Sequence, residues 1–256
     1  MIYITGDVHS EEMGGWEQET GGQELAAAEQ YLQILSRKKL SCTLFVNGIC
    51  LDKNPEKIKK LLEYDVELGG HTYNNFGKMN IFKSFIFRKY FGAVYGPKFY
   101  QRRDILKTKR AFEKMNLKIN SWRTHAFASN NTTFKLLSEN GVKFVSDFIG
   151  NTKPFFDKVW HIPINIPVDQ NTVAYGNLCP ENRDPFASCT RGRIMPEEWF
   201  EIVKKRIEAN ERKGIDSVLL IHPETMKVLD NFKIFQDIVK FLSKYKTGKI
   251  CEFKLA

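Results

Sequence analysis

Ile2-Tyr3-Ile4-Thr5-Gly6-Asp7-Val8-His9 opens the chain with a β-rich run that stops on a carboxylate and an imidazole. Bulky and β-branched residues at 2–4 suit a pleated, half-buried strand, so Asp7 and His9 fall where that strand ends. The arrangement recurs along the chain. His71 follows Val66–Leu68, Arg123 and His125 follow Ile119–Trp122, Asp147 follows Lys143–Val145, and His222 follows the apolar run Ser217–Ile221. Four of the five histidines thus stand just past a strand-like run. In a β/α barrel the catalytic groups gather at the C-terminal strand ends, because only there do the βα loops converge on one pocket. Singly, each residue has a plainer reading: Asp7 as a turn cap, His71 as a buried histidine, Arg123 as the partner of a core carboxylate, Asp147 as a helix cap, His222 as a loop residue. Repetition at equivalent places favours the site.

Further β-rich runs lie at Thr43–Val46, Val159–Ile164, Val173–Tyr175 and Ile250–Phe253, with amphipathic patterns between the strands. Leu25, Ala28, Leu32 and Leu35 mark one helix face. Asn54-Pro55-Glu56 is a helix start with a capping residue and proline in the first turn. Phe134, Leu136 and Leu137 lead to Gly141 as a stop, and Trp199, Val203 and Ile207 form a helix after Pro196. Asp230 is placed to cap a last helix carrying Phe232, Phe235, Val239 and Leu242. This alternation predicts parallel strands with crossover helices, either a doubly wound sheet or a β/α barrel. No linker or composition break divides the chain, so residues 1–256 are expected to form one domain.

Composition sets the outer bounds. With 256 residues, 42% hydrophobic and 13% aromatic, the chain can bury a large core, which excludes a disordered chain and a disulfide-stapled miniature. No run approaches the roughly 18 apolar residues of a membrane helix. The N-terminus lacks the basic head and apolar stretch of a signal peptide, so a cytoplasmic protein is expected. The five cysteines are odd in number and form no CxxC, and read as reduced thiols. A net charge of +9 favours anionic partners, but the basic clusters at 57–60, 101–103 and 107–110 read as solvated helix faces. Without zinc-finger spacing, an RNP-like motif or a phosphate-cradling glycine loop, nucleic acid is not an expected partner. Residues 76–100, aromatic and basic, and the loop-like residues 176–195 break the alternation; the first reads as a barrel helix with a loop rather than a lid.

Together these residues resemble the NodB-type polysaccharide deacetylases, metal-dependent carbohydrate esterases that fold as an irregular (β/α) barrel. The family's opening paired aspartates correspond to Asp7-Val8-His9, and its "T-F-F-x-x-G" strand to Thr43-Leu44-Phe45-Val46-Asn47-Gly48. Its "P-E" helix start matches Pro55-Glu56, and its histidine-rich motif matches Asp65 to Asn75. "R-x-P" falls on Arg123-Thr124-His125, "L-x-x-x-G-[FY]" with "D-S" on Leu137 to Val142 and Ser146-Asp147, and "L-x-x-H-P" on Leu219 to Pro223.

The resemblance implies Asp7 as general base, His9, His71 and Asn75 as metal ligands, Arg123 as the group holding the base, and His222 as general acid oriented by Asp147. It departs from the family's Asp-His-His ligands at His9 and Asn75, so Asp7, Glu11 or Glu12 are alternative carboxylate donors. His125 stands where proline is common and is a further candidate site residue. Two imidazoles suit a divalent metal, zinc foremost, with cobalt or nickel as alternatives. Such a metal lowers the pKa of bound water to roughly 7, and a carboxylate-steered histidine can protonate a leaving amine. The expected reaction is deacetylation of an N-acetylated sugar or glycan precursor, nucleotide- or lipid-linked. The alternatives are hydrolysis of a non-sugar amide or ureide, and a catalytically silent glycan- or protein-binding relative.

Overall fold

The computed structural model describes residues 1–9, 23–74, 86–87, 89–91, 96–174 and 194–254. Asn75, Glu11 and Glu12, most of 76–100 and nearly all of 176–195 lie outside them. The first strand, β1 (Ile2–Val8), is buried along its whole length because it lies inside the sheet. It runs parallel to β2 (Cys42–Val46) on one side and to β8 (Ser217–Leu220) on the other, with Asp7 opposite Phe45 and Thr5 opposite Leu220. From β2 the sheet continues through β3 (Val66–Gly70), β4 (Ser121–Trp122), β5 (Phe144–Val145) and β7 (Val159–His161) to β6 (Phe155–Asp157) at the edge. Among the described residues only β6 pairs antiparallel; β9 (Thr247–Gly248) adds to the start of β1.

The sheet curls into an irregular β/α barrel, and the residues after β7 cross the arc left open. Pro163 has no N–H to give a ladder, so the expected strand Val159–Ile164 stops early. Asn165 then takes over. Its side-chain oxygen accepts the Val218 N–H at 2.9 Å, its Nδ2 donates to the Asp216 carbonyl at 2.8 Å, and its N–H donates to the Val218 carbonyl at 3.3 Å.

The helices arise as their sequences predict. α1 (Glu24–Ser36) buries Leu25, Ala28, Leu32 and Leu35, with Tyr31 stacked on Phe235 at 4.1 Å. α2 (Gly48–Lys53) is short, and α3 (Pro55–Leu61) starts on its proline, the Asn54 side chain making no cap bond. After α4 (Lys98–Lys114), Asn130 and Thr133 form a reciprocal capping box on α5 (Asn131–Glu139), and Gly141 follows at φ +84°. α6 (Pro196–Arg212) and α7 (Pro223–Asp230) also begin on prolines. The Asp230 carboxylate accepts the Ile234 N–H at 2.8 Å in the first turn of α8 (Lys233–Leu242). Among the described residues, no helix is long and apolar enough to cross a membrane.

Two expected strands are not strands. Gln170–Ala174 is a π-helical turn in which the Thr172 hydroxyl bonds the Val168 carbonyl at 2.8 Å; Tyr175 lies outside the described residues. Ile250–Glu252 is a 3-10 turn, because its amides find side chains instead of a neighbouring strand: Ile250 N–H donates to Thr43 Oγ1 and Cys251 N–H to Glu67 Oε2, each at 2.9 Å. Cys42, Cys50 and Cys251 are free thiols.

Candidate active site

Arg123 is the largest polar side chain in the interior and is wholly buried. A buried guanidinium is costly unless its donors are met, and here they are. Nη1 donates to Asp7 Oδ1 at 2.8 Å, Nη2 to Thr5 Oγ1 at 2.9 Å and Ser146 Oγ at 2.8 Å, and Nε to the Ser146 carbonyl at 2.9 Å. Its flat face lies 4.3 Å above the centre of the Phe45 ring. Three strand ends are tied by one side chain. Burial alone would push the Asp7 carboxyl up, but Arg123 above all, then His71 and His222, outweighs it and holds Asp7 well below the carboxylate range.

The other oxygen of Asp7 faces two imidazoles, His71 Nε2 at 3.8 Å and His222 Nε2 at 3.7 Å. His71 leaves β3 immediately after Gly70, where a Cβ would sit 2.3 Å from the Trp122 ring. That close approach lets β3 and β4 bring His71 and Arg123 side by side. His71 Nδ1 lies 2.8 Å from the Arg123 carbonyl, so Nδ1 carries the proton and Nε2 turns its lone pair towards His9. His9 Nε2 is 3.0 Å from His71 Nε2. Burial keeps the His71 imidazole well below the ordinary histidine range despite the pull of Asp7. His125 stands against both rings, 5.2 Å from His9 and 5.5 Å from His71 between centroids. The structure therefore gathers Asp7, His9, His71, Arg123, His125 and His222 at one end of the barrel.

One expected pairing is corrected. Asp147 does not orient His222; its Oδ1 accepts the Thr124 N–H at 2.7 Å, and burial raises its carboxyl to about 6 against that bond. The partner of His222 is Asp169, fully buried, whose Oδ2 accepts the His222 N–H and whose Oδ1 meets Nδ1, each at 2.7 Å. Burial would lower the pKa of His222, but Asp169, with Asp7 and Glu224 behind it, raises it to about 9. Asp169 follows no apolar run that hydropathy marks as a strand, and only its place after the barrel-crossing residues betrays it.

Two more buried carboxylates escape a strand-end reading. Glu24 opens α1 and accepts the His9 N–H at 2.7 Å; Glu224 lies in the first turn of α7 and accepts from Gln170 Nε2 at 3.1 Å. His9 Nδ1 lies 3.8 Å from Glu24 and 3.7 Å from Glu224. Among the described residues, the group of ligand atoms close enough to share one ion is His9, Glu24 and Glu224, all within 4.8 Å of one another. An imidazole with carboxylates suits a divalent metal, so the donor set fits one. The expected third ligand, Asn75, lies outside the described residues. His161, the remaining histidine, is packed among Phe134, Phe148 and Phe155, as a core residue would be.

The barrel and its end-on polar cluster define the class, and comparison with known proteins adds a family likeness. The polysaccharide deacetylase family model matches residues 20–145. A Mycobacterium smegmatis protein assigned to polysaccharide deacetylases by inference superposes with a TM-score of 0.69 at 18% identity, over 94% of this chain and 84% of its own. The PuuE allantoinase gives 0.64 at 12% identity, covering 96% and 86%. A CE4-family pseudoenzyme from Bacillus anthracis gives 0.59 at 15%, covering 98% of this chain and 64% of its own. No curated protein matches the sequence. At these identities the solved structures establish the fold. Over residues 20–145 the chain is similar to the polysaccharide deacetylases, as a divergent sequence on the same fold.

Proposed function

We propose that this chain, as one catalytic unit over residues 1–256, is a metal-dependent N-deacetylase of an N-acetylated sugar or glycan precursor. The observation that carries the reading is the Asp7 carboxylate, held by Arg123 on one oxygen and facing His71 and His222 with the other. A carboxylate so held accepts a proton from water as that water adds to the acetamide carbonyl. His222, kept protonated by Asp169, then donates Nε2–H to the nitrogen as the C–N bond breaks, releasing acetate and the free amine. Asp7 passes its proton to His222 Nε2, 3.7 Å away, which restores both groups, and the acetic acid ionises as it leaves. A divalent ion held through His9 would polarise the carbonyl and acidify the water. Zinc is the first candidate, cobalt and nickel the next.

The positive balance of the chain suits a phosphorylated carrier, and we place the enzyme in the cytoplasm acting on a nucleotide- or lipid-linked sugar. The likeness to an allantoinase favours a second reading, hydrolysis of a ureide, and the likeness to a pseudoenzyme a third, binding without turnover. Purified protein supplied with zinc, cobalt or nickel should release acetate from N-acetylated oligosaccharides. Ring opening of a cyclic ureide to its ureido acid, with no acetate released from the sugars, would replace the sugar reading. Sugar binding with no hydrolysis at all would remove the enzyme reading.

A further inference from the structure

His9 occupies the place of a family aspartate, and its ring has two nitrogens facing different neighbours. Nε2 meets His71; Nδ1 meets Glu24 and Glu224. Hydrogen-bond direction separates their roles. The Arg123 carbonyl can only accept, so His71 Nδ1 must donate to it. His71 Nε2 is then the acceptor in its 3.0 Å contact, and His9 Nε2 must be the donor. A neutral His9 with its proton on Nε2 presents a lone pair at Nδ1, turned towards two carboxylate oxygens at 3.7 and 3.8 Å. Three electron-rich atoms, on side chains all at least nine-tenths buried, converge there. One imidazole nitrogen and two carboxylate oxygens, all within 4.8 Å of one another, have the donor chemistry and spacing that a divalent ion takes.

We propose that the metal centre of this protein is His9 Nδ1, Glu24 and Glu224, on the opposite side of His9 from His71. The inference rests on the metal-dependent reading above and departs from the ligand set His9, His71 and Asn75 implied by resemblance. The two carboxylates supply the negative charge that His9 and Asn75 fail to supply, and they stand at positions outside the quoted motifs, in the first turn of α1 and in the first turn of α7 just after Pro223. A ligand set of one imidazole and two carboxylates takes zinc, and the oxygen-preferring manganese more readily than an all-histidine site would. His71 becomes a positioning residue that fixes the His9 tautomer through the Arg123 carbonyl.

Calorimetric titration of metal-stripped protein with zinc and with manganese tests this, using Glu24→Gln, Glu224→Gln and His71→Gln. Each glutamine at 24 or 224 keeps the shape and removes the charge, and should weaken zinc binding at least tenfold; His71→Gln should weaken it less than either. Anomalous diffraction from zinc-soaked wild-type crystals locates the ion without any variant and guards against a substitution that fails to fold. An ion found between His9 Nε2 and His71, or binding lost in His71→Gln and kept in both glutamate variants, overturns the assignment while leaving metal dependence intact. Wild-type protein that takes up neither metal overturns both, whereas metal bound at the glutamates with no acetate released sinks only the deacetylase.

Discussion

Asp169→Asn isolates the correction that matters most for chemistry. Asp169 meets His222 twice at 2.7 Å, once at the backbone N–H and once at Nδ1. Asparagine can still accept the backbone N–H through its oxygen, but its amide nitrogen then faces Nδ1 as a donor. That reverses the hydrogen bond and imposes a neutral imidazole with its proton on Nε2. A hydrogen bond to a charged group is worth about 1.5–3 kcal/mol, and about 1.4 kcal/mol is tenfold in rate. The lost bond alone predicts a roughly 10- to 100-fold fall in kcat. Burial, no longer offset by Asp169, also leaves His222 unprotonated, carrying the loss towards the roughly 10⁴-fold upper range of general acid catalysis. Acetate release should show kcat reduced with KM little changed, and nitrogen-15 shifts of the His222 ring should report the new tautomer without any substrate. Asp147→Asn, which keeps an acceptor for Thr124 N–H and leaves the His222–Asp169 bonds untouched, should stay within about tenfold of wild type in kcat, the worth of about 1.4 kcal/mol. Unchanged kcat in Asp169→Asn alongside a collapse in Asp147→Asn would refute the reasoning.

Gly70→Ala should destabilise the fold by about 1–3 kcal/mol, because the added Cβ meets the Trp122 ring at 2.3 and 2.5 Å; urea unfolding followed by tryptophan fluorescence measures it, and an unchanged midpoint would show that the β3–β4 contact yields freely. Asp104 accepts the Tyr73 N–H, and burial raises its carboxyl from 3.8 to about 7 against that bond and Lys107. A raised folded pKa means a contribution complete below about pH 4 and lost as pH climbs through 7. Asp104→Asn should therefore gain on wild type across that window, by about 1–3 kcal/mol after discounting for partial exposure, in urea midpoints taken at pH 4, 5.5 and 7.5.

What could be read from the sequence was whatever a local pattern writes down. β1, β2, β3 and β8 are apolar runs ended by a polar residue, and their register delivers Asp7, His71 and His222 to one end of the barrel. Arg123 was legible for the same reason. Asp169, Glu24 and Glu224 were not. Asp169 follows an irregular stretch whose course is set by closing the sheet, a contact spanning more than fifty residues. Glu24 and Glu224 look like ordinary first-turn acids, and only tertiary packing shows that both are buried against His9. Val173 and Ile250 misled because β-branched residues bury equally well in a turn when side chains satisfy the backbone.

The amide of Asn165 stands in for a peptide unit on the side of β8 away from β1, where among the described residues no strand pairs with it, and its position gives the His222–Asp169 pair a second meaning. His222 leaves the far end of β8, while Asp169 lies four residues beyond Asn165 on the facing side. The join is therefore buttoned at two heights, by Asn165 low on the wall and by the two 2.7 Å bonds of Asp169 at the rim. Whatever keeps His222 aligned also keeps the wall shut. Any substitution that improves one is constrained by the other.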